Sequence, residues 1–309
     1  MRISRTPHHL RMVLLGAAVG VLLLDPAIGL AAESAPKAPS VVDGAARSGS
    51  ISYLSLGTSL ALGYQPGKGK TKQGFVDELW RNIRQQIPGL GLRNVGCRGE
   101  TSRSMITGEN SRCHYRAGSQ LDAAVNFLRA HPGQVAFITV EVGANDLVNR
   151  CFDGRTGLID KACAVDQRPR LQRRLERIVG SLSSAAGEGV PIVGMTYYDP
   201  FLGLWGLIPR GRAMARADQR AWKVLNAGLT TAFERSGAQV ADVAATFRID
   251  DFRHTAVVRG RGRLPVNVAL TCRWTWFCSP DSFTDPHANP RGHQKIANTF
   301  NRKLQRLLP

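Results

Sequence analysis

The 309-residue chain predicts an α/β fold, a mostly five-stranded parallel sheet with helices on both faces. Three observations lead there. Short runs rich in β-branched and aromatic residues alternate with stretches of helical period. No internal repeat and no linker interrupts that alternation after residue 50, so residues 51–309 read as one domain. Hydrophobic residues make up 43% of the chain, enough to bury a substantial core.

The elements follow in order. Strands are expected at "YLSLG" (53–57), "LRNVG" (92–96), "VAFITVEVG" (135–143), "IVGMTYY" (192–198) and "AQVADV" (238–243). Amphipathic helical stretches begin at Gly74, Ser119, Arg170 and Arg216. The last helix has Asn289 as its N-cap and Pro290 at its first position.

The first 50 residues differ in kind. A basic segment, "MRISRTPHHLRM", precedes an apolar run of 12, "VLLGAAVGVLLL", too short to span a bilayer comfortably. Small residues then offer cleavage near Ala31 or Ala32, so residues 1–32 read as a secretory signal peptide, with an uncleaved membrane anchor as the alternative. Residues 33–50, rich in Ala, Pro and Ser, read as a disordered lead-in.

An exported chain with an even number of cysteines implies disulfides. Local pairing, Cys97–Cys113, Cys151–Cys163 and Cys272–Cys278, encloses three short loops, one of the 15 connectivities that six cysteines allow. No pair has the two-residue spacing of a zinc site, and no metal is expected. The net charge is +18; Arg2, Arg5 and Arg11 against Asp25 in the leader leave +16 without it. That charge would draw the protein to anionic envelope or lipid headgroups. Nucleic acid is not expected, because no basic stripe is interleaved with aromatics. Oligomeric state has no signature in the sequence.

In a parallel sheet ligands bind beyond the carboxyl ends of the strands, so chemistry belongs just after each one. The first strand is followed by Gly57, Thr58 and Ser59, the second by "GCRGETS" with Gly99, the third by "GANDL" with Asn145 and Asp146. Asp285 and His287 lie just ahead of the last helix. A serine hydroxyl is a poor nucleophile until a base takes its proton, and imidazole titrates in the right range to do so. The oxyanion that follows needs preorganised donors: the Ser59 amide at the start of the next helix, the Gly99 amide and the Asn145 side chain. Asp146 reads as structural, and His114, His131, His254 and His293 as solvated or structural. Tyr197, Tyr198, Trp205, Trp274, Trp276 and Phe277 could line an acyl pocket or simply pack. Residues 201–208, "FLGLWGLI", form an apolar run in a loop position, either a lipid or ligand surface or packing.

Ser59 in "LGTSLALG", Gly99 in "NVGCRGETS", Asn145 in "VGANDL" and His287 in "DPHANPRGHQKIA" form four blocks that resemble the SGNH, or GDSL-type, hydrolases over residues 50 to 309. "GCRGETS", "TYYDPFLGLW" and "CRWTWFC" are similar, more narrowly, to secreted disulfide-bearing esterases and lipases of actinobacteria. The resemblance implies a three-layer α/β/α flavodoxin-like SGNH hydrolase fold and a serine ester hydrolase that needs no cofactor. It departs at two positions. Thr58 replaces the aspartate usual before the serine, and Thr284 occupies the position, three before the histidine, of the usual triad acid. The backbone carbonyl of Thr284 is the favoured partner for the His287 ring, with Asp285 as the competing candidate.

A lipid ester or a small-molecule ester of short-to-medium acyl chain is the expected substrate, from the resemblance and the apolar run. A polysaccharide O-acetylesterase is the alternative enzyme, since a basic surface suits an anionic polymer. A non-catalytic binder of anionic envelope is the alternative of another class, and the complete set of strand-end residues argues against it.

Overall fold

In a computed structural model of the chain, the residues described are 51–308 apart from residue 283. The expected leader and lead-in lie outside them. The chain runs β1 (Ser52–Leu56), α1 (Phe75–Ile83), β2 (Gly91–Asn94), α2 (Ser102–Thr107), α3 (Gln120–Ala130), β3 (Val135–Val140) and α4 (Ala144–Cys151). A hairpin of β4 (Phe152–Asp153) and β5 (Leu158–Ile159) leads into α5 (Lys161–Ala186) and β6 (Ile192–Met195). A 3-10 segment (Pro200–Gly206), α6 (Gly211–Arg235), β7 (Gln239–Ala241) and α7 (Val243–Thr246) follow. A second hairpin, β8 (Thr255–Val258) and β9 (Gly262–Pro265), precedes α8 (Val266–Trp274) and α9 (Pro290–Leu304).

The main sheet is β2-β1-β3-β6-β7, with every pairing parallel, the flavodoxin-like order. Strands β1 and β6 are buried along their whole length, because helices cover both faces and each residue faces apolar neighbours. Tyr53 stacks on Phe137 at 4.4 Å and its hydroxyl pairs with Thr139 at 2.7 Å, so the polar atoms of this buried face are satisfied. Helix α1 packs on α9, where Phe75 stacks on Phe300 at 5.2 Å, while α3, α5 and α6 pack together as the other layer. The order reverses between β1 and β3, and the loops leaving β1, β2 and β3 therefore share one edge.

Most expected elements are present, some with other limits. Helix α5 starts at Lys161, not Arg170: it runs through Pro169 from the Asp160 cap, whose side chain accepts from the Ala162 amide at 2.8 Å. Helix α6 starts at Gly211 rather than Arg216. Helices α2, α4, α7 and α8 lie outside the expected elements. Helices α2 and α4 are short and begin inside the polar loops of the motifs, α7 is a single turn of four residues, and α8 is buried from Val266 to Thr271, so it shows no amphipathic period. The six cysteines pair as expected, Cys97–Cys113, Cys151–Cys163 and Cys272–Cys278.

Candidate active site

Strand β1 is followed by Gly57, where nothing larger fits. A Cβ on Gly57 would lie 2.6 Å from the Ala61 Cβ and 2.8 Å from Glu141 Oε2. Buried Gln120 accepts from the Gly57 amide at 2.7 Å and donates to its carbonyl at 3.1 Å. The next residue, Thr58, gives its amide to Glu141 Oε2 at 2.7 Å and its hydroxyl to both carboxylate oxygens at 2.9 and 3.0 Å. Ser59 is thereby presented at the sheet edge with only 8% of its surface exposed. A series of turns follows it, not a helix; α1 begins only at Phe75. The expectation of a helix N-terminus at Ser59 is therefore corrected.

The Ser59 hydroxyl lies 2.9 Å from His287 Nε2, across 228 residues of chain. His287 Nδ1 is 2.8 Å from Asp285 Oδ1, and the same oxygen accepts from the His287 amide at 2.9 Å. This corrects the choice of the Thr284 carbonyl as the ring's partner. Thr284 adopts a left-handed backbone, φ 65°, with its amide on the Phe277 carbonyl at 3.0 Å. The chain turns so that the Asp285 side chain bridges its own loop two residues on and reaches the ring as well.

Partial burial would raise the Asp285 carboxyl, but the hydrogen bonds from the His287 ring and amide, with the charges of His287 and Arg98, outweigh it and hold it below its usual value. Arg98 lies over the Tyr64 ring at 4.5 Å, and Tyr64 tilts against His287 at 4.7 Å. Gln65 joins the Ser59 and His287 loops: its side chain accepts from Trp276 Nε1 at 2.6 Å and donates to the Ala288 carbonyl at 3.3 Å. Tyr198 donates to the Pro286 carbonyl at 2.9 Å.

Gly99 has φ 81°, a conformation that favours glycine. Among the described residues neither the Ser59 amide nor the Gly99 amide donates a hydrogen bond. Asn145 Nδ2 donates to the Glu100 carbonyl at 2.8 Å, which ties it to the Gly99 loop and leaves its second N–H for another acceptor. Asp146 accepts from the Ser102 amide at 2.8 Å and hydroxyl at 2.5 Å, in keeping with a structural role. His293 is buried and accepts from the Phe75 amide at 3.1 Å, with burial pushing it down to about 3, and His254 pairs with Asp251 at 2.9 Å. Neither touches the serine.

Of the aromatics, Tyr197, Tyr198 and Phe277 are buried in packing. The apolar run divides: Leu202 and Leu204 are buried, Ile208 is exposed, and Phe201 stacks on exposed Phe152 at 6.0 Å.

Sequence reasoning missed Glu141. It is fully buried, and Tyr197 donates to it at 2.5 Å beside the Thr58 bonds. Burial pushes its carboxyl up to about 7, against the pull of the Tyr197 and Thr58 hydrogen bonds. From just beyond β3 it supplies a carboxyl group behind the turn that presents Ser59, where Thr58 has none. A signal was present: one acidic residue inside the apolar run "VAFITVEVG" must find partners if that strand is buried.

A family model for GDSL-like lipases and acylhydrolases matches residues 55–295. No curated protein matches the chain significantly. Among solved structures, an extracellular lipase from Streptomyces rimosus superposes with a TM-score of 0.50 at 15% identity, over 82% of this chain and 99% of that one. A phospholipase A1 from Streptomyces albidoflavus reaches 0.46 at 15% identity over 83% and 100%. A lipase/acylhydrolase from Enterococcus faecalis reaches 0.47 at 16% over 84% and 97%.

Proposed function

The chain belongs to the GDSL-like lipase/acylhydrolase family and is a carboxylic ester hydrolase, and on that premise we propose that it is exported and cleaves acyl or lipid esters by a serine mechanism. The observation that carries this reading is the chain of hydrogen bonds from Ser59 through His287 to Asp285, 2.9 and 2.8 Å long. Ser59 Oγ attacks the ester carbonyl as His287 Nε2 takes its proton. The carbonyl oxygen becomes an oxyanion, held by the Ser59 and Gly99 amides and the free N–H of Asn145. Collapse expels the alcohol, which takes the proton from His287, and leaves an acyl group on Ser59. Water attacks that acyl-enzyme, His287 again acting as base, and the acid departs. Asp285 keeps the proton on Nδ1, so that Nε2 faces the serine as an acceptor, and it steadies the imidazolium. Export is supported by the basic, apolar and small-residue order of the first 32 residues and by the three disulfides.

The test is a panel of esters of graded chain length, with an acetylated polysaccharide beside them, assayed with wild type and Ser59→Ala. Acyl esters should be turned over, and Ser59→Ala should lose about 10⁴-fold or more of kcat while keeping its fold. Near-normal turnover in that variant contradicts the mechanism, and a preference for the polysaccharide contradicts the substrate class.

A further inference from the structure

The mechanism leaves unused a recess that shares a wall with Asn145. Its volume is about 350 Å³, and α2, α4 and α5 enclose it with Arg103, Asn145, Arg150, Arg170 and Arg174 among its lining. A more open recess of about 490 Å³ continues along α5, sharing Arg103, Arg170 and Arg174 and adding Arg173 and Arg177. Positions 170, 173, 174 and 177 fall on one helix face, where like charges at this spacing repel and cost stability. Little offsets them. Asp146, also held by Ser102, is 3.6 Å from Arg174, and Glu109 is 2.6 Å from Arg103 at the exposed rim. Among the described residues no carboxylate pairs with Arg150, Arg170, Arg173 or Arg177.

Guanidinium groups gathered from three elements around one recess suit a compact anion with several oxygens. A carboxylate offers two oxygens and is filled by one guanidinium fork, whereas a phosphate has oxygens for several forks at once. An extended anionic polymer would call for a stripe across the surface, not a recess. The other end of α4 is apolar at its surface: Phe152, exposed and stacked on Phe201 at 6.0 Å, and exposed Val165 on α5. A cationic recess next to Asn145 and an apolar surface two residues beyond Arg150 match the two ends of an anionic amphiphile.

We propose that the arginine recess binds the phosphate of the substrate head group, so that the preferred substrate is an acyl ester of a glycerol phosphate lipid. The inference rests on the serine-hydrolase reading for turnover, but binding is separable from it. The Ser59→Ala protein is titrated, at low salt, with a monomeric 1-acyl-glycerol 3-phosphate, with the uncharged 1-acyl-glycerol of the same chain, and with inorganic phosphate. The phosphate lipid should bind at least tenfold more tightly than either, and added salt should weaken it. Placing Arg170→Gln or Arg150→Gln in the same protein should cut that ratio severalfold, and both together should bring it close to one. In the protein with Ser59 intact, kcat/KM for the phosphate lipid over the neutral one should fall in step. Equal binding of the two lipids, or a preference that survives both substitutions, overturns the proposal. Inorganic phosphate held as tightly as the lipid also overturns it, since the recess would then serve the free ion. Wild type that cleaves neither lipid while the binding preference persists defeats the hydrolase reading alone.

Discussion

At His287 one oxygen, Asp285 Oδ1, accepts from both the ring and the residue's own amide. Replacing that carboxylate with an amide preserves the shape but offers the ring a donor or a weaker acceptor, and it favours the wrong tautomer. Asp285→Asn should therefore lower kcat by about 10⁴, the scale of a lost triad acid. Retention of most turnover would show that another group orients the ring. Glu141 acts on stability. Its carboxyl titrates at about 7 in the fold against 4.5 unperturbed. Between those values the native chain holds a proton that the unfolded chain has released. Its contribution is thus full below about 4.5 and is lost as pH rises to about 7. The stability advantage of wild type over Glu141→Gln should shrink across that window in urea unfolding; an advantage that stays constant contradicts the assignment. Ser59, Gly99, Asn145 and His287 were legible because each follows a strand or precedes a capped helix. Glu141, Gln65 and the part played by Asp285 were not. Glu141 meets Thr58 across 83 residues and Gln65 meets Ala288 across 223, and the Asp285 geometry depends on a left-handed Thr284 that its residue type does not announce.

Among the elements, the three disulfides each brace a loop that bears on the site. Cys97–Cys113 closes the segment with Gly99, Cys151–Cys163 ties the end of α4 to the start of α5, and Cys272–Cys278 ties α8 to the loop ahead of His287. The first encloses a 16-residue separation, for which the chain-entropy account gives about 3 kcal/mol. Cys97→Ser with Cys113→Ser should lower the urea-unfolding free energy by about 2–4 kcal/mol. A change under about 0.5 kcal/mol, the size of an ordinary surface substitution, would contradict it. The long periodic helices and central strands were legible from their patterns. The short helices α2 and α4 were hidden in polar motif loops, and α8 was hidden because burial on all sides erases the period that betrays a helix.

For the whole molecule, the sheet order places the loops after β1, β2 and β3 side by side, and the returning chain brings His287 to Ser59. That assembly was readable in outline, because alternating strands and helices leave few topologies and one edge on which chemistry can gather. The +18 charge was readable only as a total. Four arginines of α5 share one helix face by their spacing, but their gathering with Arg103 and Arg150 around one recess depends on how that helix packs against α2 and α4. In the proposed mechanism one serine, activated by one histidine, is the nucleophile. Mass mapping of the chain after reaction with an alkyl fluorophosphonate probes that nucleophile by name. A single adduct is expected on Ser59, absent from Ser59→Ala and formed far more slowly in His287→Ala. An adduct on a different serine, or labelling at Ser59 that proceeds as fast without His287, would contradict the account.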